Sequence, residues 1–308
     1  MTPLLIGLLV TQVTIGAASP RQRSADDSLT ARVHARIAAV PGAAVAIAYR
    51  HLGRPDSFYF NADTSFHAAS TMKVPVMIEL FRRADRQQLS LDQGILVVNQ
   101  FGSIVDGSPY SLDEGEDSDS ALYAQVGKRV PVRDLIEHMI TRSSNLATNT
   151  VIALARGEEV TRTMRSLGAS RIEVRRGVED DKAYARGLNN TTTARDLAII
   201  LAAIRGNRAA SSRSCAAMRA ILGRQEFNDR IPAGLPPGTR VEHKTGEITA
   251  TAHDAAIVYP AGGKPYVLVV LTGRIPDGAV ARALIADISR LVYAHATGSA
   301  GPGRAGTG

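Results

Sequence analysis

Apolar, strand-like runs stand at both ends of this chain and a long helical stretch separates them, which constrains the fold more than any single motif. Ala43 to Tyr49 is a small, β-branched run, and Ser57 to Asn61 carries alternating aromatics. Leu52-Gly53-Arg54-Pro55 lies between them as the turn of an antiparallel hairpin. Far downstream, Thr239 to Gly246, His253 to Tyr259 and Lys264 to Thr272 read as three more strands, with Pro260-Ala261-Gly262-Gly263 as a tight turn. From about Phe66 to Ala220 the pattern is helical: Met72 to Arg86, Val132 to Thr141, Asn145 to Arg156, Glu159 to Leu167, Thr193 to Ile204 and Ser212 to Leu222. A helix from Asp26 to Val40, with Asp27 or Ser28 as its cap and Pro41-Gly42 as its stop, opens the folded part. Another, Ala279 to Ala294, closes it. Strands from both termini must share one sheet, so the expected fold is α/β (α+β two-lobe). An antiparallel sheet of about five strands, flanked by helices, carries an inserted all-helical lobe. A site is expected between the lobes.

The expected organisation is a leader over 1–19, one domain over 20–297 and a Gly-rich tail over 298–308. Within the domain the sheet lobe takes about 26–65 and 236–295, and the helical lobe about 66–235. Pro3 to Val10 is an apolar run followed by small residues ending Gly16-Ala17-Ala18-Ser19, the pattern of a secretory signal cut near Ala18 or Ser19. Its first residues hold no Lys or Arg; the alternative is an uncleaved anchor, but Thr11, Gln12 and Thr14 interrupt the stretch and it is short for a span. The chain is therefore read as exported, periplasmic or secreted, without stable membrane insertion. The single Cys215 excludes an internal disulfide. A net charge of +7 would suit nucleic acid, yet the arginines are scattered, aromatics make up 5% and there is no Trp. Nucleic-acid binding is set aside. Seven histidines form no close ligand pair, so neither metal nor cofactor is expected, and the protein is read as a monomer.

Ser70-Thr71-Met72-Lys73 places a hydroxyl and an amine three residues apart at the start of a helix, where they share a face. A Ser hydroxyl needs a base to become a nucleophile, and a desolvated Lys amine can serve. The chain has five lysines beside 31 arginines, and Lys73 and Lys244 both fall in motifs. Arginine cannot give up its proton, so Lys73 in an arginine-rich chain points to a titratable amine. Two further motifs follow in order, Ser143-Ser144-Asn145 and Lys244-Thr245-Gly246.

These three motifs resemble those of the serine β-lactamase and penicillin-binding protein superfamily, closest to its class A β-lactamase branch. The resemblance runs from about Ser28 to Ala294, including Thr191-Thr192-Thr193 and the strand segments Thr251 to Pro260 and Pro265 to Gly273. It implies that Ser70 attacks an acyl carbonyl, that Lys73 helps deprotonate it, and that Ser143 passes a proton to the leaving nitrogen. It also implies that Asn145 holds the substrate amide and Lys73, and that Lys244 and Thr245 bind the substrate carboxylate. The backbone N–H groups of Ser70 and Glu247, beside Gly246, would form an oxyanion hole. The implied partner is a small-molecule β-lactam or a D-Ala-D-Ala peptide.

Three positions depart from the family pattern. Ser144 stands where Asp is usual, and Glu247 follows the third motif where a small residue or Ser/Thr is common. Third, class A enzymes carry a deacylating Glu in an E-x-x-L-N loop. Here Glu179 stands at about the right distance from Asn145, but Asp180-Asp181-Lys182-Ala183 follows it and Leu188-Asn189 arrives late. Asn149 matches the position that hydrogen-bonds the loop Glu. Glu179 is thus either the deacylation base or part of a solvated acidic turn paired with Arg175, Arg176 or Lys182. The readings that follow are a β-lactamase, a D-Ala-D-Ala peptidase of the same fold, and a non-catalytic binder. Phe101 to Ser120, longer than the family usually has and rich in Asp and Glu, is expected as an exposed loop at the pocket mouth.

Overall fold

The structure, a computed structural model, describes residues 20–298 and the side chains from Leu29 onward. The leader expected over 1–19 and the tail beyond Gly298 lie outside the described residues. The first helix, α1 (Pro20–Ala38), starts earlier than expected, because Pro is well suited to a first turn. Asp27 and Ser28 therefore lie inside α1 and do not cap it. The chain then forms β1 (Ala44–His51) and β2 (Ser57–Phe60), a short β3 (Phe66–His67), and a 3-10 turn, Ala69–Met72, that runs into α2 (Lys73–Asp85). Ser70 sits in that 3-10 turn.

Between α2 and the later helices lie β4 (Gly94–Leu96), β5 (Phe101–Gly102), β6 (Pro109–Tyr110) and β7 (Arg129–Pro131), followed by α3 (Val132–Thr141), α4 (Asn145–Ala155) and α5 (Gly157–Ser166). A one-turn α6 (Asp181–Ala185), β8 (Thr191–Thr192), α7 (Ala194–Arg205) and α8 (Ser212–Leu222) complete the inserted part. The ladders β3-β8, β4-β7 and β5-β6 are two-stranded additions to the helical lobe that the sequence did not announce. Strands of two or three residues are too short to show a period of two.

The chain returns to the sheet with β9 (Arg240–Ile248), β10 (Thr251–Tyr259) and β11 (Tyr266–Gly273), and α9 (Gly278–Thr297) ends it. The order β2-β1-β11-β10-β9 is antiparallel throughout, and β1 from the front of the chain pairs with β11 along Ala44↔Gly273 to His51↔Tyr266. Alternation divides the core. Leu268 and Val270 join Val45, Ile47 and the α1 and α9 side chains, while Val267, Val269 and Leu271 face the helical lobe with Ala46 and Ala48. Because both faces of β11 are covered, all eight of its residues are buried.

Strand β9 is a free edge of the sheet, and it packs against the 3-10 turn that carries Ser70. The fold thereby faces the third motif toward the first. Leu268→Ala, which empties a fully buried position on the central strand, is expected to lower stability by about 2–5 kcal/mol in urea unfolding. A loss under about 1 kcal/mol would mean that β11 is not central to the core.

Candidate active site

The second motif begins at a strained residue. Ser143 has φ of 58°, and Ser144, not Asn145, is the N-cap of α4, its hydroxyl accepting from Ala147 N at 3.1 Å. Asn145 is the first helical residue, so its amide is free to point into the site. Lys73, the first residue of α2, is fully buried. Its Nζ donates to Ser143 O at 2.6 Å, Asn145 Oδ1 at 2.8 Å and Ser143 Oγ at 3.2 Å. None of these bonds goes to Ser70 Oγ, the partner the S-x-x-K spacing suggests.

Lys244, on β9 and equally buried, donates to the same Ser143 Oγ at 2.9 Å and to Thr245 O at 2.9 Å. Two amines thus converge on one hydroxyl. Burial pushes the Lys73 amine down to about 7, against the upward pull of Asp117 and Glu179. Burial also lowers Lys244 well below the ordinary lysine range, helped by the charges of Lys73 and Arg230 and opposed by Asp254.

Glu179 sits on the loop after α5, with φ of 59°, and Asn145 Nδ2 donates to its Oε1 at 2.6 Å. Although the side chain keeps an exposed edge, desolvation raises its carboxyl pKa, with Asp117 and Glu116 adding repulsion while Asn145 and Lys73 pull it down. Asn149 does not reach Glu179. It binds the preceding backbone instead, accepting from Val178 N at 2.7 Å and donating to Val178 O at 3.0 Å, and Gly177 packs against its amide. The ion pairs of the acidic-turn alternative also do not form as expected. Arg175 pairs with Glu173 and Lys182 with Asp106, while Arg176 donates to Leu188 O, Gly177 O and Asn189 Oδ1. Asp180 caps α6 and accepts from Ser103 Oγ at 2.8 Å and Ile104 N at 2.9 Å. The loop is tied to the segment that carries Ser70, since Ala68 N donates to Asn190 O at 2.8 Å and β3 pairs with β8.

A cleft of about 270 Å³ brings together Ser70, Ser143, Asn145, Thr245, Gly246 and Glu247. Glu116, Ser118, Phe227 and Arg230 complete its walls. Arg230 is buried and ion-paired with Glu247, whose other oxygen accepts from Arg282 at 3.0 Å, so both oxygens of the rim carboxylate are held by arginines. Sequence reasoning missed Arg230, one arginine among many with no periodic signal, and it missed Asp117, which is buried in a segment expected to be exposed. Among the described residues no cluster of His, Cys, Asp and Glu could hold a metal, and no helix is long and apolar enough to cross a membrane.

Residues 28–296 match the model of the beta-lactamase enzyme family. The chain belongs to that family. It is 29% identical over 246 residues to a β-lactamase of Streptomyces albus G, covering 76% of this chain and 74% of that one. A β-lactamase of Nocardia asteroides, AST-1, is 30% identical over 188 residues, 59% of this chain and 61% of its own length. Among solved structures, a β-lactamase from Sphaerobacter thermophilus DSM 20745 superposes with a TM-score of 0.72 at 28% identity, covering 90% of this chain and 99% of that chain. The protein PBP-A gives 0.75 at 25%, covering 86% of this chain and 94% of that chain. The fold is that of the β-lactamase and penicillin-binding protein superfamily.

Gly246 lies against the Ser70 turn, and a Cβ there would stand 3.1 Å from both Ser70 N and Thr71 N. Gly246→Ala is expected to push β9 off that turn and slow covalent labelling of the protein by a fluorescent penicillin about 100-fold. An unchanged labelling rate would show that β9 can shift without disturbing Ser70.

Proposed function

We propose that this family member is an exported, monomeric serine β-lactamase of class A type, opening the β-lactam amide through an acyl-enzyme on Ser70. The observation that carries the reading is the junction at Asn145, whose one amide accepts from Lys73 and donates to Glu179. A group suited to acylation and a group suited to hydrolysis thus meet at one side chain that lines the cleft. A variant of the structural neighbour PBP-A, with a TM-score of 0.74, is described as an acyl-enzyme complex with penicillin G, which supports a penicillin as acylating ligand.

In acylation, Ser70 Oγ forms a bond to the lactam carbonyl carbon as its proton passes to the neutral Lys73 amine, directly or through Ser143. The C–N bond breaks and Ser143 Oγ protonates the departing nitrogen, with Lys244 holding that hydroxyl in place. The N–H groups of Ser70 and Glu247 steady the oxyanion, and Lys244 and Thr245, beside Gly246, receive the substrate carboxylate. In hydrolysis, Glu179 takes a proton from water, the resulting hydroxide attacks the ester carbonyl, and the C–O bond to Ser70 breaks as Oγ regains its proton. A D-Ala-D-Ala peptidase would share the first half and use a peptide; PBP-A, of the same fold, keeps that second reading in view.

Ser70→Ala is expected to abolish labelling by a fluorescent penicillin with the fold retained, and persistent labelling would move the nucleophile elsewhere. Lys73→Arg is expected to be nearly as damaging as Lys73→Ala, because Arg holds its proton; retention of most activity would refute the titratable amine. Glu179→Gln should slow deacylation by about 10² to 10⁴, so that mass spectrometry finds a long-lived adduct on Ser70 where the parent shows a transient one. Equal clearance in both proteins would remove Glu179 from the chemistry. A parent that holds its adduct indefinitely would favour the penicillin-binding reading.

A further inference from the structure

The acidic segment before α3 is exposed over most of its length, as its composition suggests, and its Glu116 and Ser118 line the cleft, but Ser103, Leu112, Asp117 and Asp119 are buried. Its last residues grip the second motif from both sides. Ser118 Oγ donates to Arg142 O at 2.6 Å, immediately before the strained Ser143. Immediately after it, the Asp117 carboxylate accepts from Asn145 N at 3.1 and 3.0 Å and from Leu146 N at 2.8 Å. Asp119 N at 3.1 Å and the Tyr123 hydroxyl at 3.3 Å complete its bonds. Together with Ser144, which takes Ala147 N, Asp117 satisfies the first turn of α4. Among the described residues this buried carboxylate makes no ion pair.

We propose that Asp117 is a positioning residue of the site, its carboxylate clamping the N-terminus of α4 so that Ser143 and Asn145 are held where Lys73 meets them. A carboxylate at a helix N-terminus is favoured by the free N–H groups and by the dipole, which explains how it stays buried without a cation in contact. The same charge acts on Lys73, drawing its amine upward against the larger effect of burial. The other charged groups at this junction are Glu179 from the loop after α5, Lys244 on β9 with Arg230 beyond it, and Glu116 beside Asp117. His138 and Arg142, from α3 and its end, face Asp119 and not Asp117.

The acylation part of the test rests on the proposed function, whereas titration of Lys73 does not. With five lysines in the chain, Lys73 can be followed by ¹³C NMR of lysine-labelled protein. Asp117→Asn keeps the side-chain shape and one acceptor. It is expected to acylate with a penicillin roughly ten- to a hundred-fold more slowly than the parent, and to move the Lys73 midpoint to lower pH, with a melting temperature near the parent's. Asp119→Asn, which removes the carboxylate facing His138 and Arg142, should change neither reading. An unmoved Lys73 midpoint, acylation at the parent's rate, or equal slowing in Asp119→Asn would each overturn the proposal. Should Asp117→Asn not fold, Asp117→Glu keeps the charge and displaces the clamp, so slower acylation with a midpoint near the parent's is expected, and parental acylation would overturn it. A parent that takes no penicillin adduct would count against the proposed function, and the Lys73 midpoints alone would then decide the role of Asp117.

Discussion

Taking a lysine amine wholly out of water costs several kcal/mol unless its hydrogens are taken up by well-placed oxygens, and Lys73 has only Ser143 O, Ser143 Oγ and Asn145 Oδ1 for that purpose. Each belongs to the turn that opens α4. The first and second motifs therefore cannot separate without leaving a buried amine short of hydrogen-bond partners, and the junction of α2 with α4 is fixed by chemistry as much as by packing. Lys244 closes the third side through the same Ser143 hydroxyl. The mutual repulsion of two amines adds to burial, so the site favours loss of a proton from one of them.

The backbone is strained where the site is built. Three of the nine non-glycine residues with positive φ among the described residues are Ala69, Ser143 and Glu179, next to Ser70, at the second motif and at the loop carboxylate. Such conformations cost on the order of 1–3 kcal/mol each and survive only when neighbours over-determine them. The neighbours that do so here are close by: His67 Nδ1 accepts from Ala69 N, Ser144 caps the helix after Ser143, and Asn149 holds Val178 beside Glu179. Stability drawn from the two cores is spent at these three points on fixing a cleft.

The five-strand sheet was legible because its strands are apolar, β-branched or aromatic runs bounded by turns that contain Gly and Pro. Helices α3 and α8 fall on the residues their periodicity marks. What sequence could not supply is long-range. An S-x-x-K spacing suggests a bond between Ser70 and Lys73, whereas the amine turns to residues seventy positions away. Asn149 reaches backbone and leaves Glu179 to Asn145, an exchange of partners decided by the path of the loop at Gly177. The segment over 101–120 is read as solvated and most of it is, but only its folding back over α4 reveals that two of its carboxylates, Asp117 and Asp119, are buried acceptors.

The central claim is that Lys73 reaches catalysis as a neutral amine because the fold buries it. The most direct measurement is the pH dependence of single-turnover acylation of the parent protein by a penicillin, followed by quenched-flow mass spectrometry. With the Lys73 amine pushed down to about 7, protonation on the acid side removes the proton acceptor. The rate is predicted to bend near that pH and to fall about tenfold per unit below it. A rate that stays flat down to about pH 5, well below the range in which such a base would titrate, would contradict the account.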